Sequence, residues 1–249
     1  MQLITLKNDA GEALEFDLEV GAKYPDTVVV LGHGVTANKD REWAVTLMET
    51  LVGAGVGCLR FSFSGNGGSE GRFEDSGPSK GAADLRAVLR ALKAAGAERL
   101  IYIGHSMGAA TGVLVAGAPL AGDPPLAGLV SLAGMVDTHG FAQRKFGDQE
   151  PGSSLMWDKP ECPLSQAFMD DMEAVGTVLV LADKVSIPWL LLHGTDDTVV
   201  PHLEAEQVAS HVPHAQVQLM PGVDHVFSGG ADRDMAERTL NWVRNLMGE

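Results

Sequence analysis

Gly104-His105-Ser106-Met107-Gly108 follows the spacing G-x-S-x-G. A serine at such a point can act as a nucleophile if the turn carrying it is tight enough to push its hydroxyl outward. The glycines two residues to either side let neighbouring backbone approach without a side-chain clash. The preceding stretch, Arg99-Leu100-Ile101-Tyr102-Ile103, is short, apolar and partly β-branched, which predicts a buried strand. The following stretch, Ala109 to Ala116, is small and apolar and predicts a packed helix. Strand, sharp turn and helix together make a nucleophile elbow, with the Ser106 hydroxyl held above the sheet edge at a helix N-terminus. The plainer alternative is a glycine-bearing loop with an incidental serine.

A serine hydroxyl is a weak nucleophile at neutral pH. It needs a base to take its proton and a third group to orient that base. On a strand–elbow–helix frame these partners follow in the order serine, acid, histidine. Leu190-Leu191-Leu192-His193-Gly194 predicts a late strand, and Asp196 and Asp197 come directly after it. Asp197 is the preferred acid and Asp196 the alternative; either could instead hold the turn or cap a helix. His225 lies in Pro221-Gly222-Val223-Asp224-His225, after the last predicted strand and before the final helix, where the base belongs. The chain has eight histidines, and the others have ordinary readings. His202, His211 and His214 flank a helix and are expected to face solvent, His139 lies in an irregular segment, His193 reads as structural, and His105 packs beside the serine. An oxyanion hole needs two backbone N–H groups, each worth about 3 kcal/mol of transition-state stabilisation. Met107 should supply one and Val35, in Gly32-His33-Gly34-Val35, the other, with Gly34 leaving room for substrate.

The elements that must position these residues can be read along the chain. Strands are predicted at Leu3–Leu6, Ala13–Val20, Thr27–Leu31, Val56–Phe61, Arg99–Ile103, Leu126–Leu132, Ile187–His193 and Gln216–Met220. Amphipathic helices run through Trp43, Leu47 and Leu51, from Lys80 to Ala95, and from about Ala231 to Met247. After the first strands, strand and helix alternate. That demands an α/β architecture, a mostly parallel sheet of about eight strands with helices on both faces. Residues 135–182 break the rhythm: the periodicity is weak, and prolines, methionines and aromatic residues are scattered through it. A segment that long between strands is read as a small cap inserted in a single domain spanning 1–249, the alternative being an extended helical crossover. Met156, Trp157 and Phe168 could line a pocket there, or form the segment's own core.

A chain of 249 residues with 45% hydrophobic residues can bury a sizeable core. The formal net charge of −15 argues against nucleic acid or anionic membranes as partners. Cys58 reads as a core residue and Cys162 lies in a proline-flanked loop; nothing argues for a disulfide. No signal peptide and no membrane span is evident, so a cytoplasmic protein is expected, as a monomer or homodimer.

His33-Gly34, Gly104 to Gly108, His193-Gly194 with Asp197 and Pro201, and Asp224-His225 all stand where the α/β-hydrolase superfamily has its motifs. The chain resembles that family over nearly its whole length. Phe61-Ser62-Phe63-Ser64-Gly65-Asn66-Gly67-Gly68-Ser69-Glu70-Gly71-Arg72-Phe73 is more selective, and is similar to a loop of the feruloyl/cinnamoyl esterase-like and serine-aminopeptidase-like branch. Ser62 stands where that branch frequently has aspartate, and Val35 where an aromatic is common. The resemblance implies the α/β-hydrolase fold with a small inserted cap. It also implies a serine hydrolase that cleaves small-molecule carboxylic esters through an acyl-enzyme, with Ser106, His225 and Asp197 as triad and no metal or cofactor. An aminopeptidase or thioesterase would use the same triad, and a hydrolase fold can also serve as a non-catalytic binding module.

Overall fold

The computed structural model describes residues 5–249. Among these, seven strands form one sheet in the order β1-β3-β2-β4-β5-β6-β7. They are β1 (Phe16–Glu19), β2 (Tyr24–Gly32), β3 (Val56–Phe61), β4 (Arg99–His105), β5 (Leu126–Leu132), β6 (Trp189–Gly194) and β7 (Ala215–Met220). Only β1 runs antiparallel, against β3. The other pairings are parallel. Leu3 and Ile4 of the first expected strand lie outside the described residues; Lys7 pairs with Ala13 in an isolated bridge. The second expected strand begins later than Ala13, because residues 13–15 bond to the loop after β3 instead. Ala13 N–H donates to the Glu70 carboxylate, Glu15 N–H to Ser69 Oγ, and Ser62 N–H to the Glu15 carbonyl.

The central strands are solid apolar runs because both faces are covered. Their alternation divides each run between two cores. Val28 and Val30, Leu100 and Tyr102, and Trp189 and Leu191 enter one core, with α2 (Pro78–Ala94), α3 (Met107–Gly117) and α7 (Leu203–His211). Val29 and Leu31, Ile101 and Ile103, and Leu190 and Leu192 enter the other, with α1 (Glu42–Gly53) and α8 (Ala231–Met247).

Strand order reverses at β2: β3 lies on one side of it and β4 on the other. The loops leaving β2 and β4 therefore diverge, opening a crevice at the carboxyl ends of the strands, where open α/β sheets place their ligands.

The segment between β5 and β6 carries α4 (Thr138–Phe146), a 3₁₀ turn at Met156–Asp158, α5 (Gln166–Val175) and α6 (Leu179–Ala182). It builds a third apolar cluster from Phe141, Phe146, Met156, Leu164, Phe168 and Met172, seated on Met107 and Val200. Its root is tied by one buried carboxylate. Glu204 accepts from Val136 N–H at 2.7 Å and Asp137 N–H at 3.0 Å, and from Arg144 at 3.1 Å. Removing that carboxylate strands buried donors, and hydrogen bonds to charged groups are worth about 1.5–3 kcal/mol each. Glu204→Ala should lower the free energy of unfolding by about 3 kcal/mol in urea titration, and Glu204→Gln by less. An unchanged Glu204→Ala midpoint would show that this tie does not hold the segment.

Candidate active site

Ser106 caps α3 with φ 54° and ψ −120°, a strained conformation for a non-glycine residue. Three backbone bonds hold the strain in place. Ser106 N–H donates to the Leu132 carbonyl, and the Ser106 carbonyl accepts from Ala109 and Met135. The flanking glycines are required by contact. A Cβ on Gly104 would lie 2.2 Å from the Gly108 carbonyl oxygen, and one on Gly108 would lie 2.6 Å from the carbonyl oxygens of Gly32 and His33. Tyr102, wholly buried in β4, donates its hydroxyl to the Gly108 carbonyl at 2.9 Å. The Met107 N–H is the first of α3 and has no partner inside the helix.

The loops after β6 and β7 bring Asp197 and His225 together. His225 Nδ1 donates to Asp197 Oδ2 at 2.7 Å. A carboxylate only accepts, so the proton of neutral His225 sits on Nδ1 and leaves the Nε2 lone pair free. The second oxygen of Asp197 accepts from Val199 and Val200 N–H, each at 2.8 Å, and His193 Nε2 adds a 3.1 Å contact to Oδ2. Burial would raise the Asp197 carboxyl, but the hydrogen bonds from His193 and His225 outweigh it and hold it well below the ordinary carboxylate range. Asp196 is exposed, and among the described residues its side chain hydrogen-bonds only with Thr195.

Two further histidines are buried as neutral brackets. His33 Nδ1 donates to the Gly34 carbonyl at 2.9 Å while Nε2 accepts from Phe63 N–H at 2.9 Å. This ties the loop after β2 to the loop after β3. His105 Nε2 donates to the His225 carbonyl at 2.8 Å, and its ring lies against Trp43 and His225. The elbow and the His225 loop, 120 positions apart, are thereby joined directly. The sequence reading placed His105 beside the serine without this bond, and no local signal could have shown it.

Ser106, His225, Gly34 and Val35 line one pocket of about 190 Å³ at the sheet's switch point. A Cβ on Gly34 would approach Ser106 Cβ to 2.8 Å, so only glycine fits there. Of the three residues considered for the far wall, Trp157 lines the pocket, whereas Met156 and Phe168 are buried in the third cluster. Phe141 and Val199 add to the apolar wall, and Arg41 and Lys159 stand at it as well; sequence reasoning singled out none of these four. Ser62, at the position where aspartate is frequent in the branch, bonds through its hydroxyl to Glu15 and Lys39 N–H, inside an ion cluster away from this pocket. Among the described residues, no group of His, Cys, Asp and Glu is arranged to hold a metal ion, both cysteines are free, and no helix is long and apolar enough to cross a membrane.

The chain belongs to the alpha/beta hydrolase family, whose model matches residues 28–238. Among solved structures it is similar to Est1E from Butyrivibrio proteoclasticus with ferulic acid bound, at 21% identity, covering 99% of this chain and 100% of that one, with a TM-score of 0.85. It is also similar to mouse alpha/beta hydrolase domain-containing protein 10, at 21% identity over 100% and 99% of the two chains, TM-score 0.77. The esterase domain of a Rhodothermus marinus protein follows, at 22% identity over 97% of each chain, TM-score 0.75. At these identities the likeness is one of fold. No curated protein sequence matches the chain.

Burial lowers the pKa of His33 from 6.5 to about 4 and that of His105 from 6.5 to about 3. A histidine whose folded pKa is depressed contributes stability that is fully present above its unfolded value near 6.5. That contribution falls away below it, at up to about 1.4 kcal/mol per pH unit for each ring. Nitrogen-15 spectra should keep His33 in its Nδ1–H form and His105 in its Nε2–H form from pH 8 to pH 5. Titration of either ring near 6.5 would mean that these brackets open in solution.

Proposed function

We propose that this protein is a serine hydrolase that cleaves carboxylic esters through an acyl-enzyme. One observation carries the reading: His225 donates a hydrogen bond from Nδ1–H to the buried Asp197 carboxylate, and its ring shares a pocket with a strained serine. Ser106 Oγ attacks the ester carbonyl carbon as His225 Nε2 takes the hydroxyl proton. Asp197 holds the ring and stabilises the imidazolium so formed. The oxyanion of the tetrahedral intermediate receives N–H bonds from Met107 and Val35. As the C–O bond to the alcohol breaks, His225 returns the proton to the departing oxygen. Water, deprotonated by the same nitrogen, then releases the acid and restores Ser106.

Residues 135–182 serve as a small cap that contributes Phe141, Trp157 and Lys159 to the site. The pocket wall disfavours an aminopeptidase, because a free amino terminus needs an acidic anchor and the lining offers only cations, Arg41 and Lys159, besides the site histidines. The protein acts without metal or cofactor on a small-molecule ester, as a cytoplasmic monomer or homodimer.

A fluorophosphonate probe should label the wild type and not Ser106→Ala, and short 4-nitrophenyl esters should be hydrolysed. Asp197→Asn should cost on the order of 10⁴-fold in kcat, while Asp196→Asn keeps most of it. An unlabelled, inactive wild type would remove the hydrolase reading, and the reverse order of the two asparagine variants would move the acid to Asp196.

A further inference from the structure

The pocket's charge runs against that of the whole molecule. The chain has 33 acidic and 18 basic residues, yet the wall around Ser106 carries Arg41 and Lys159 and no carboxylate. The two cations come from distant places. Arg41 precedes α1, on the loop leaving β2, and Lys159 follows the 3₁₀ turn of the segment between β5 and β6. Both are half-buried. They converge on one atom: Arg41 Nη2 lies 3.3 Å and Lys159 Nζ 3.5 Å from the Thr36 carbonyl oxygen. Two like charges are therefore held within about 7 Å of each other, sharing one long, neutral acceptor.

Neither cation has a counter-ion among the described residues. Asp40, next to Arg41 in sequence, pairs with Lys39 and Arg60. Asp158 and Glu161, which bracket Lys159, make no ion pair with it. Asp197 has both oxygens committed inside the site. Partly buried cations left with unmet donors attract an anion, and a guanidinium beside an ammonium suits a carboxylate. The apolar part of the wall, which includes Trp43, Phe141, Trp157, Val199 and Val226, suits an aromatic or short aliphatic body.

Building on the ester-hydrolase reading, we propose that the site selects esters that carry a second, negatively charged group, a carboxylate in the simplest case, held by Arg41 and Lys159 while Ser106 attacks the ester carbonyl.

The anion can lie on either side of the scissile bond, and two matched pairs of substrates separate the sides. Mono-4-nitrophenyl glutarate against 4-nitrophenyl valerate places it on the acyl side. 4-Acetoxybenzoate against methyl 4-acetoxybenzoate places it on the alcohol side. In at least one pair the wild type should favour the anion in kcat/KM by about fivefold or more at low ionic strength, and less in high salt. The Arg41→Gln, Lys159→Gln double variant should bring that ratio close to one, and Arg41→Lys with Lys159→Arg should keep it. A neutral preference in both pairs, or a ratio that survives the glutamine variant, overturns the proposal.

Binding tests the same point without turnover. Ser106→Ala should bind 3-phenylpropionate more tightly than 3-phenylpropanamide in calorimetry, and lose that difference when both cations become glutamine. Equal binding overturns the proposal. If fluorophosphonate labelling and hydrolysis of all four esters fail while the binding difference stands, the ester chemistry is wrong and the anion site is right.

Discussion

A single buried carboxylate organises the carboxyl edge of the sheet. Asp197 sits where an isolated anion would be too costly, so its two oxygens must be met by donors. They are met from three directions: the backbone of its own turn at Val199 and Val200, His193 at the end of β6, and His225 on the loop after β7. Satisfying the charge therefore requires β6, its loop and the His225 loop to adopt one arrangement. Whatever role His225 plays, its ring orientation follows from this requirement.

The remaining loops are tied to that centre by uncharged groups. His105 bonds to the His225 carbonyl and so couples the elbow to the loop after β7. His33 bonds both to its own loop and to the loop after β3. Burial keeps both rings neutral near pH 7, which is what these brackets need, because each uses one donor nitrogen against a carbonyl. Charging either ring would add a buried cation with no carboxylate bonded to it among the described residues. The strain at Ser106 persists because the Leu132 carbonyl, Ala109 and Met135 determine its backbone from both sides.

Much of this was legible in the sequence because it is periodic or local. The runs 27–31, 99–103 and 126–132 are short and apolar and read as buried strands, and β5 falls on the expected residues. Gly104 to Gly108 encodes its own turn, and the order of Ser106, Asp197 and His225 follows from the winding of the sheet. Asp196 and Asp197 stand side by side in the sequence, which does not show that the Asp197 carboxylate turns inward to His225 while that of Asp196 meets Thr195. What could not be read depends on contacts between distant segments. The apolar residues of α4 and α5 pack in a small cluster around Met107 rather than along one long helix face, so their periodicity is weak. Trp157 and Asp158 adopt φ of 50° and 57°, conformations that neither residue type announces. The position of Lys159 follows from that turn.

Electrostatically, the molecule separates two tasks by distance. A formal net charge of −15 favours solubility, but at physiological ionic strength a surface field fades over about 8 Å. Inside the partly enclosed pocket the screening is weaker, and the nearest charges dominate. There the imbalance is reversed, because among the described residues Arg41 and Lys159 lack the acidic partners that Lys39, Arg60, Lys80 and Arg86 have elsewhere. One of these cations belongs to the sheet's own loop and the other to the segment between β5 and β6. The proposed anion would therefore bridge the loops at the carboxyl edge of the sheet and the segment between β5 and β6.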